Sequence, residues 1–198
     1  MDDELETMEC SMAGLQRERG GFPTRRILLG VAAAAGVAAA GFFAIGPRRF
    51  WRFVAGPADQ GPVDFATFSR RSVPNDALAS SKGASTQPVD LILPTYRTSP
   101  IALMGALDDA ARSSGRAERV DDGTEPAYRR YVFRSRVFEF PDTLDARAVG
   151  RPDGETSLIL YSRSQLGRGD FGSNRARLEA IVRALGRSPG VEAVSTRR

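Results

Sequence analysis

Nineteen consecutive residues without a charge, "ILLGVAAAAGVAAAGFFAI" at 27–45, set the first constraint on this chain. Wound as a helix they span about 28 Å, close to the hydrocarbon thickness of a bilayer. A core helix of a soluble protein is rarely uncharged on every face over that length, so the run predicts a membrane-inserted helix or a signal segment. "RRFWRF" follows at 48–53, where Phe50, Trp51 and Phe53 suit the membrane interface and the arginines suit headgroups. Membrane lipid is the expected partner of residues 27–53.

"TRRILLG", Thr24–Gly30, resembles a twin-arginine export signal, with Gly30 where a lysine is common. The pair Arg25-Arg26 serves equally as positive-inside arginines. Arg17, Arg19, Arg25 and Arg26 precede the run and Arg48, Arg49 and Arg52 follow it, which favours an amino terminus inside. Ala38-Ala39-Ala40 offers a small-residue processing site, but the apolar run continues through Ile45, so an uncleaved anchor is expected. The expected location is a bacterial inner membrane, crossed once, with the soluble domain in the periplasm. The acidic arm "MDDELETMEC" reads as a disordered tail. The segmentation is an arm over 1–24, the anchor over 25–46, an interfacial tether over 47–63 and a domain over 64–198.

Composition narrows the chemistry. Histidine is absent and Cys10 is the one cysteine. Nucleophile systems of the Ser-His-Asp and Cys-His kinds are excluded, as are zinc sites built on His and Cys and a disulfide within the chain. A metal would have to be a hard ion held by oxygen; no metal and no cofactor is expected. All 28 basic residues except Lys82 are arginine, which weakens any reading of each arginine as a chosen anion ligand. Residues 47–198 carry 24 basic and 18 acidic side chains, a formal charge of +6.

Beyond the anchor, prolines at 47, 57, 62, 74, 88 and 94 mark an extended tether that runs into a loop laid against the domain. Ser99 and Pro100 open a helix over 99–115, with Ile101, Met104, Leu107 and Ala111 at helical spacing. Strand-like runs follow at 128–140, 143–149 and 156–164. In the middle run Leu144, Ala146 and Ala148 alternate against Asp145 and Arg147, as in a half-buried antiparallel strand. A second helix over 173–185 buries Leu178, Ile181, Val182 and Leu185, and "VEAVS" offers a last short strand. The fold class expected is α+β: a small antiparallel β-sheet covered by two helices, preceded by one transmembrane or signal-anchor helix.

The strand-to-helix junction "SRSQLGRGDFGSNRARLEAI", 162–181, holds the candidate site. With Phe140-Pro141-Asp142 ahead of it, this stretch resembles the uncharacterised domain-of-unknown-function family numbered 1499. The matching residues are Ser162, Arg163, Ser164, Gly167, Asp170, Gly172, Asn174 and Arg177, and Pro74-Asn75 resembles the family's Pro-Asn entry. Many members carry a cysteine beside that pair where this chain has Asp76. The resemblance covers 64–187 and implies no established reaction.

Two readings of the junction stay open. A helix amino terminus with flexible glycines and nearby arginines attracts anions, which makes Arg163, Ser164, Gly167, Arg168, Gly172, Arg175 and Arg177 a candidate site for an anionic small molecule or lipid headgroup. Alternatively Asp142, Asp170, Ser173 and Asn174 form a capped structural corner. The arginines at 129, 130, 134 and 136 alternate with apolar residues as on a solvated face, and nucleic acid is not expected as a partner. The function expected is a non-catalytic binding or structural module of the cell envelope, with an envelope protein as a further candidate partner. The alternative is a carboxylate-based hydrolase using Asp142 and Asp170.

Overall fold

The computed structural model describes residues 24–194. The acidic arm with Cys10, Arg17 and Arg19, and the chain from Ser195 onward, lie outside the described residues. The chain divides between Ala44 and Ile45 into two compact units. The first contains helix α1, Thr24–Ile45. Its stretch Ile27–Ile45 is long and apolar enough to cross a membrane, and none of it is buried by protein.

The second unit opens with helix α2, Pro47–Ala55. Gly46, at φ +88°, turns the chain, and Pro47 takes the first helical position, where its missing N–H leaves no bond unmade. The start of the stretch read as a tether is therefore helical. Residues 56–75 continue as an irregular strap.

Eight strands follow in one sheet: β1 Asp76–Ser81, β2 Leu91–Leu93, β3 Thr95–Arg97, β4 Ala117–Arg119, β5 Tyr128–Arg134, β6 Pro141–Gly150, β7 Thr156–Ser164 and β8 Glu192–Val194. Helix α3, Pro100–Ser114, stands between β3 and β4, and helix α4, Ser173–Leu185, follows β7. The spatial order is β2-β1-β7-β6-β5-β4, with β3 pairing both β7 and β8. The expected small antiparallel sheet is corrected to a larger, mixed one. Residues 82–90 carry the chain back along β1, so that β2 pairs it in parallel, and β1 lies beside β7 although the two are far apart in sequence. The run expected over 128–140 ends as a strand at Arg134 and turns, with Glu139 in the left-handed region at φ +51°.

Period-two alternation sorts the side chains between two faces. Leu144, Ala146, Leu158 and Leu160 join one apolar cluster with Leu103, Met104 and Leu107 of α3 and Leu178, Ile181 and Leu185 of α4. Each fully buried leucine there contributes about 1.5–3 kcal/mol. Ser99 caps α3 by accepting from the Ala102 N–H at 3.2 Å. On the other face Val63 and Phe65 of the strap pack with Leu78, Tyr128, Ile159 and Tyr161. This second cluster overturns one expectation. Asp145 does not face solvent but is 0% exposed, because the strap covers its side of β6. Arg129 and Arg130 are likewise withdrawn from solvent, the first donating to Asp108 at 3.2 Å and the second bidentate on Asp59 at 2.7 and 2.8 Å.

Candidate functional site

The corner after β7 is built by three segments. β6 and β7 place Asp142 opposite Ser164, and alternation turns Ser162 and Ser164 toward α4. Asn75, just before β1, ties the loop down: its side chain donates to the Gly167 carbonyl at 2.8 Å, and its own carbonyl accepts from the Ser164 N–H at 2.9 Å. Gly167 is at φ +90°, and a Cβ there would meet the Gly169 carbonyl at 3.3 Å, so the turn requires glycine.

Asn174, 0% exposed, is the hub. Its amide donates to the Asn75 carbonyl and to Ser164 Oγ, each at 3.0 Å. Its oxygen accepts from Ser162 Oγ at 2.6 Å and from the Arg177 guanidinium at 2.7 Å. Arg177 also donates to Ser162 Oγ at 2.8 Å, pairs with Asp142, and lies 4.9 Å from the Phe133 ring centre. Asp170 caps α4 by accepting from the Gly172 and Asn174 N–H groups at 3.0 and 2.8 Å. Those are the helix-end donors an anion would otherwise use.

The candidate anion residues are not brought together as one group. Arg163, one residue out of phase with Ser162 and Ser164, points to the strap face. There it stands 3.2 Å from Asp145 and donates to the Gly61 carbonyl at 2.8 Å. Arg175 pairs with Glu179 at 3.1 Å on the outer face of α4. Arg168 is exposed, with no partner among the described residues. Ser164, Gly167, Asp170, Ser173 and Arg177 do line one cleft of about 320 Å³, together with Asp142 and the apolar rim of Phe140, Leu166 and Phe171. Among the described residues no group of three or more acidic or cysteine side chains is placed to hold a metal ion.

Three features escape the sequence reading. Asp145 sits beneath the strap, with Tyr128 donating to it and Arg163 close by. Burial pushes its carboxyl up to about 6, although the Tyr128 hydrogen bond and the charges of Arg163 and Arg130 pull it down. Gln165 ties the corner to the strap by donating to the Ala55 and Pro57 carbonyls at 2.8 and 2.7 Å. Arg134, at the end of β5, lines an arginine-rich cleft beside α2. The signal for Arg134 was its place at the end of an Arg/apolar alternation; nothing local announced the other two.

The family model described as "Protein of unknown function (DUF1499)" matches residues 69–185, from just before β1 to the end of α4. No curated protein matches the sequence.

Proposed function

Since the chain belongs to the DUF1499 family, whose description names no activity, we propose that it is a membrane-anchored, non-catalytic binding or structural module of the bacterial cell envelope. The observation that carries this reading is α1, a helix near the amino terminus with an unburied apolar stretch of 19 residues. The segment after it supports an interfacial position. α2 leaves Phe53 91% exposed beside Arg49 and Arg52, a pairing suited to headgroups and the upper acyl region. In this reading α1 is an uncleaved single-pass anchor in the inner membrane, Arg25-Arg26 is the twin-arginine signal, and the domain lies in the periplasm.

Membrane fractionation tests the anchor: the full chain is expected to stay with membranes through an alkaline carbonate wash, and its release would end the proposal. Orientation is read by an impermeant thiol reagent on intact cells. Cys10 should stay unlabelled while Lys82→Cys, in the exposed loop after β1, is labelled.

In this reading the corner acts as a lock joining β1, β7 and α4, because its polar groups already satisfy one another. One observation favours a second reading, a carboxylate-based hydrolase: Asp142 and Asp170 line the same cleft with Arg177. Screening the purified protein against carboxylic esters, phosphoesters and glycosides decides it. Turnover that disappears in Asp142→Asn would establish the enzyme, and rates no higher than that variant's would remove it.

A further inference from the structure

Arg134 differs from every other arginine withdrawn from solvent in the domain. Arg70, Arg129, Arg130, Arg147, Arg163 and Arg177 each have a carboxylate within 4 Å, and Arg71 donates to Gln60, Asn75 and the Ser164 carbonyl. Arg134 is half-buried, has no acceptor among the described residues, and has a fully covered Nε. Burial and the neighbouring Arg48 charge lower its pKa from the ordinary arginine value, against the opposing pull of the Glu118 and Glu139 charges. A guanidinium held this way is a cation with no hydrogen-bonded acceptor, partly removed from water, a costly arrangement that a bound anion would relieve.

The surroundings fit such an anion. Arg134 lines a cleft of about 360 Å³ together with Arg48, Arg49, Trp51 and Arg52 of α2. The one acid lining it, Asp59, is engaged bidentately by Arg130. The cleft is a formed one, because α2 is fixed to the turn after β5: Trp51 Nε1 donates to the Phe138 carbonyl at 2.6 Å, its ring stacks 4.6 Å from Phe140, and Arg48 pairs with Glu139 at 3.1 Å. Four arginines line this one cavity, a composition that suits the negative charge of a phosphate, and each charge-assisted bond is roughly twice as strong as a neutral one.

We propose that the cleft between α2 and the end of β5 binds a phosphate group, with Arg134 as its fixed ligand and Arg48, Arg49 and Arg52 of α2 closing over it. The same chemistry is offered by the phosphodiester of an anionic lipid headgroup and by free phosphate. The lipid source rests on the membrane-anchored reading, since α2 begins two residues after the apolar helix ends. The free-phosphate source does not.

Trp51 is the only tryptophan of the chain and lines the cleft, so its fluorescence reports occupancy. Full-length protein in a non-ionic detergent would be titrated with short-chain phosphatidylglycerol, short-chain phosphatidylcholine and sodium phosphate, against sodium chloride at equal ionic strength. The expected result is a saturable Trp51 change with phosphatidylglycerol that weakens about tenfold or more in Arg134→Gln. It should be retained in Arg136→Gln, an exposed arginine outside the cleft. Saturation by sodium phosphate as well would assign free phosphate as a sufficient ligand, and saturation by phosphatidylglycerol alone would assign the lipid headgroup. No saturation by either, or equal titrations in wild type and Arg134→Gln, would overturn the site. Thermal melting of Arg134→Gln is the companion measurement. Removing a half-buried cation that lacks an acceptor should leave Tm unchanged or raise it, and a marked fall would show that Arg134 is needed for folding and overturn its reading as a group awaiting an anion. The carbonate fractionation reads anchoring separately, so a failed anchor and a failed phosphate site give different results.

Discussion

Asn174 has every side-chain bonding capacity filled by protein: two donors to Asn75 and Ser164, and an oxygen shared by Ser162 and Arg177. Replacing it with alanine removes four hydrogen bonds at once and leaves Ser164 Oγ without a partner, while the Asn75 carbonyl keeps the Ser164 N–H and Arg177 keeps Ser162 and Asp142. Each bond lost is worth about 0.5–1.5 kcal/mol, and more where a buried group is left unsatisfied. Asn174→Ala should therefore lose about 3 kcal/mol or more in urea unfolding of residues 46–198. A loss under about 1 kcal/mol would mean the corner is not the lock described. Asp145 gives a second residue-scale test, with a definite sign. Its folded-state carboxyl is raised to about 6 from an ordinary 3.8, so the folded state binds the proton more tightly than the unfolded one. The stability this group contributes is fully present below about pH 3.8 and is lost as pH rises through about 6. The stability of wild type minus that of Asp145→Asn should fall by roughly 3 kcal/mol across that window and then level off. A difference that is flat, or that rises with pH, would mean that Arg163 outweighs burial.

Among the elements, α2 and the strap are held by side chains reaching from the sheet end, and Gln165 is the simplest to remove. Its two donations to Ala55 and Pro57 are worth about 1–3 kcal/mol together, enough to raise the population of a detached α2 severalfold. Trypsin should then cut Gln165→Ala faster than wild type after Arg48, Arg49 and Arg52, while the core fragment persists; equal rates would show that α2 is held by Trp51 and Phe140 without Gln165. The elements were unequally legible in sequence. β7 over 156–164 and α4 over 173–185 carry strong local periods, and Ser99-Pro100 announces the start of α3; these stand within a residue of their expected bounds. β1, β2, β3 and the strap were hidden in a Pro-, Ser- and Gly-rich stretch, because β2 and β3 are three residues long and are specified by distant partners. The burial of Asp145 depends on Val63 and Phe65, far away in the chain, so its alternation looked like a wet face. Arg163 was misgrouped by adjacency, although the period of two already set it opposite Ser162 and Ser164.

At the scale of the whole molecule, the boundary between Ala44 and Ile45 separates an apolar helix from a unit that contains both clusters, the corner and the arginine cleft. In α1, Ile27, Leu28, Leu29 and Val31 are all more than half exposed. Such a surface is stable in lipid or detergent and promotes aggregation in water. A chain beginning at residue 46 loses that surface and none of the contacts within the clusters. It should therefore stay in solution and unfold in urea with the same free energy as the full chain in non-ionic detergent, within about 0.5 kcal/mol. A core helix gives the opposite result, because removing one would open the cluster it covers and lower stability by several kcal/mol. The comparison thus separates the two uses of an uncharged 19-residue run by energetics alone, without reference to where the protein resides in a cell. Equal stability would show that α1 supplies no packing to the domain, which is what a membrane anchor or a signal sequence requires of an apolar helix with no buried face.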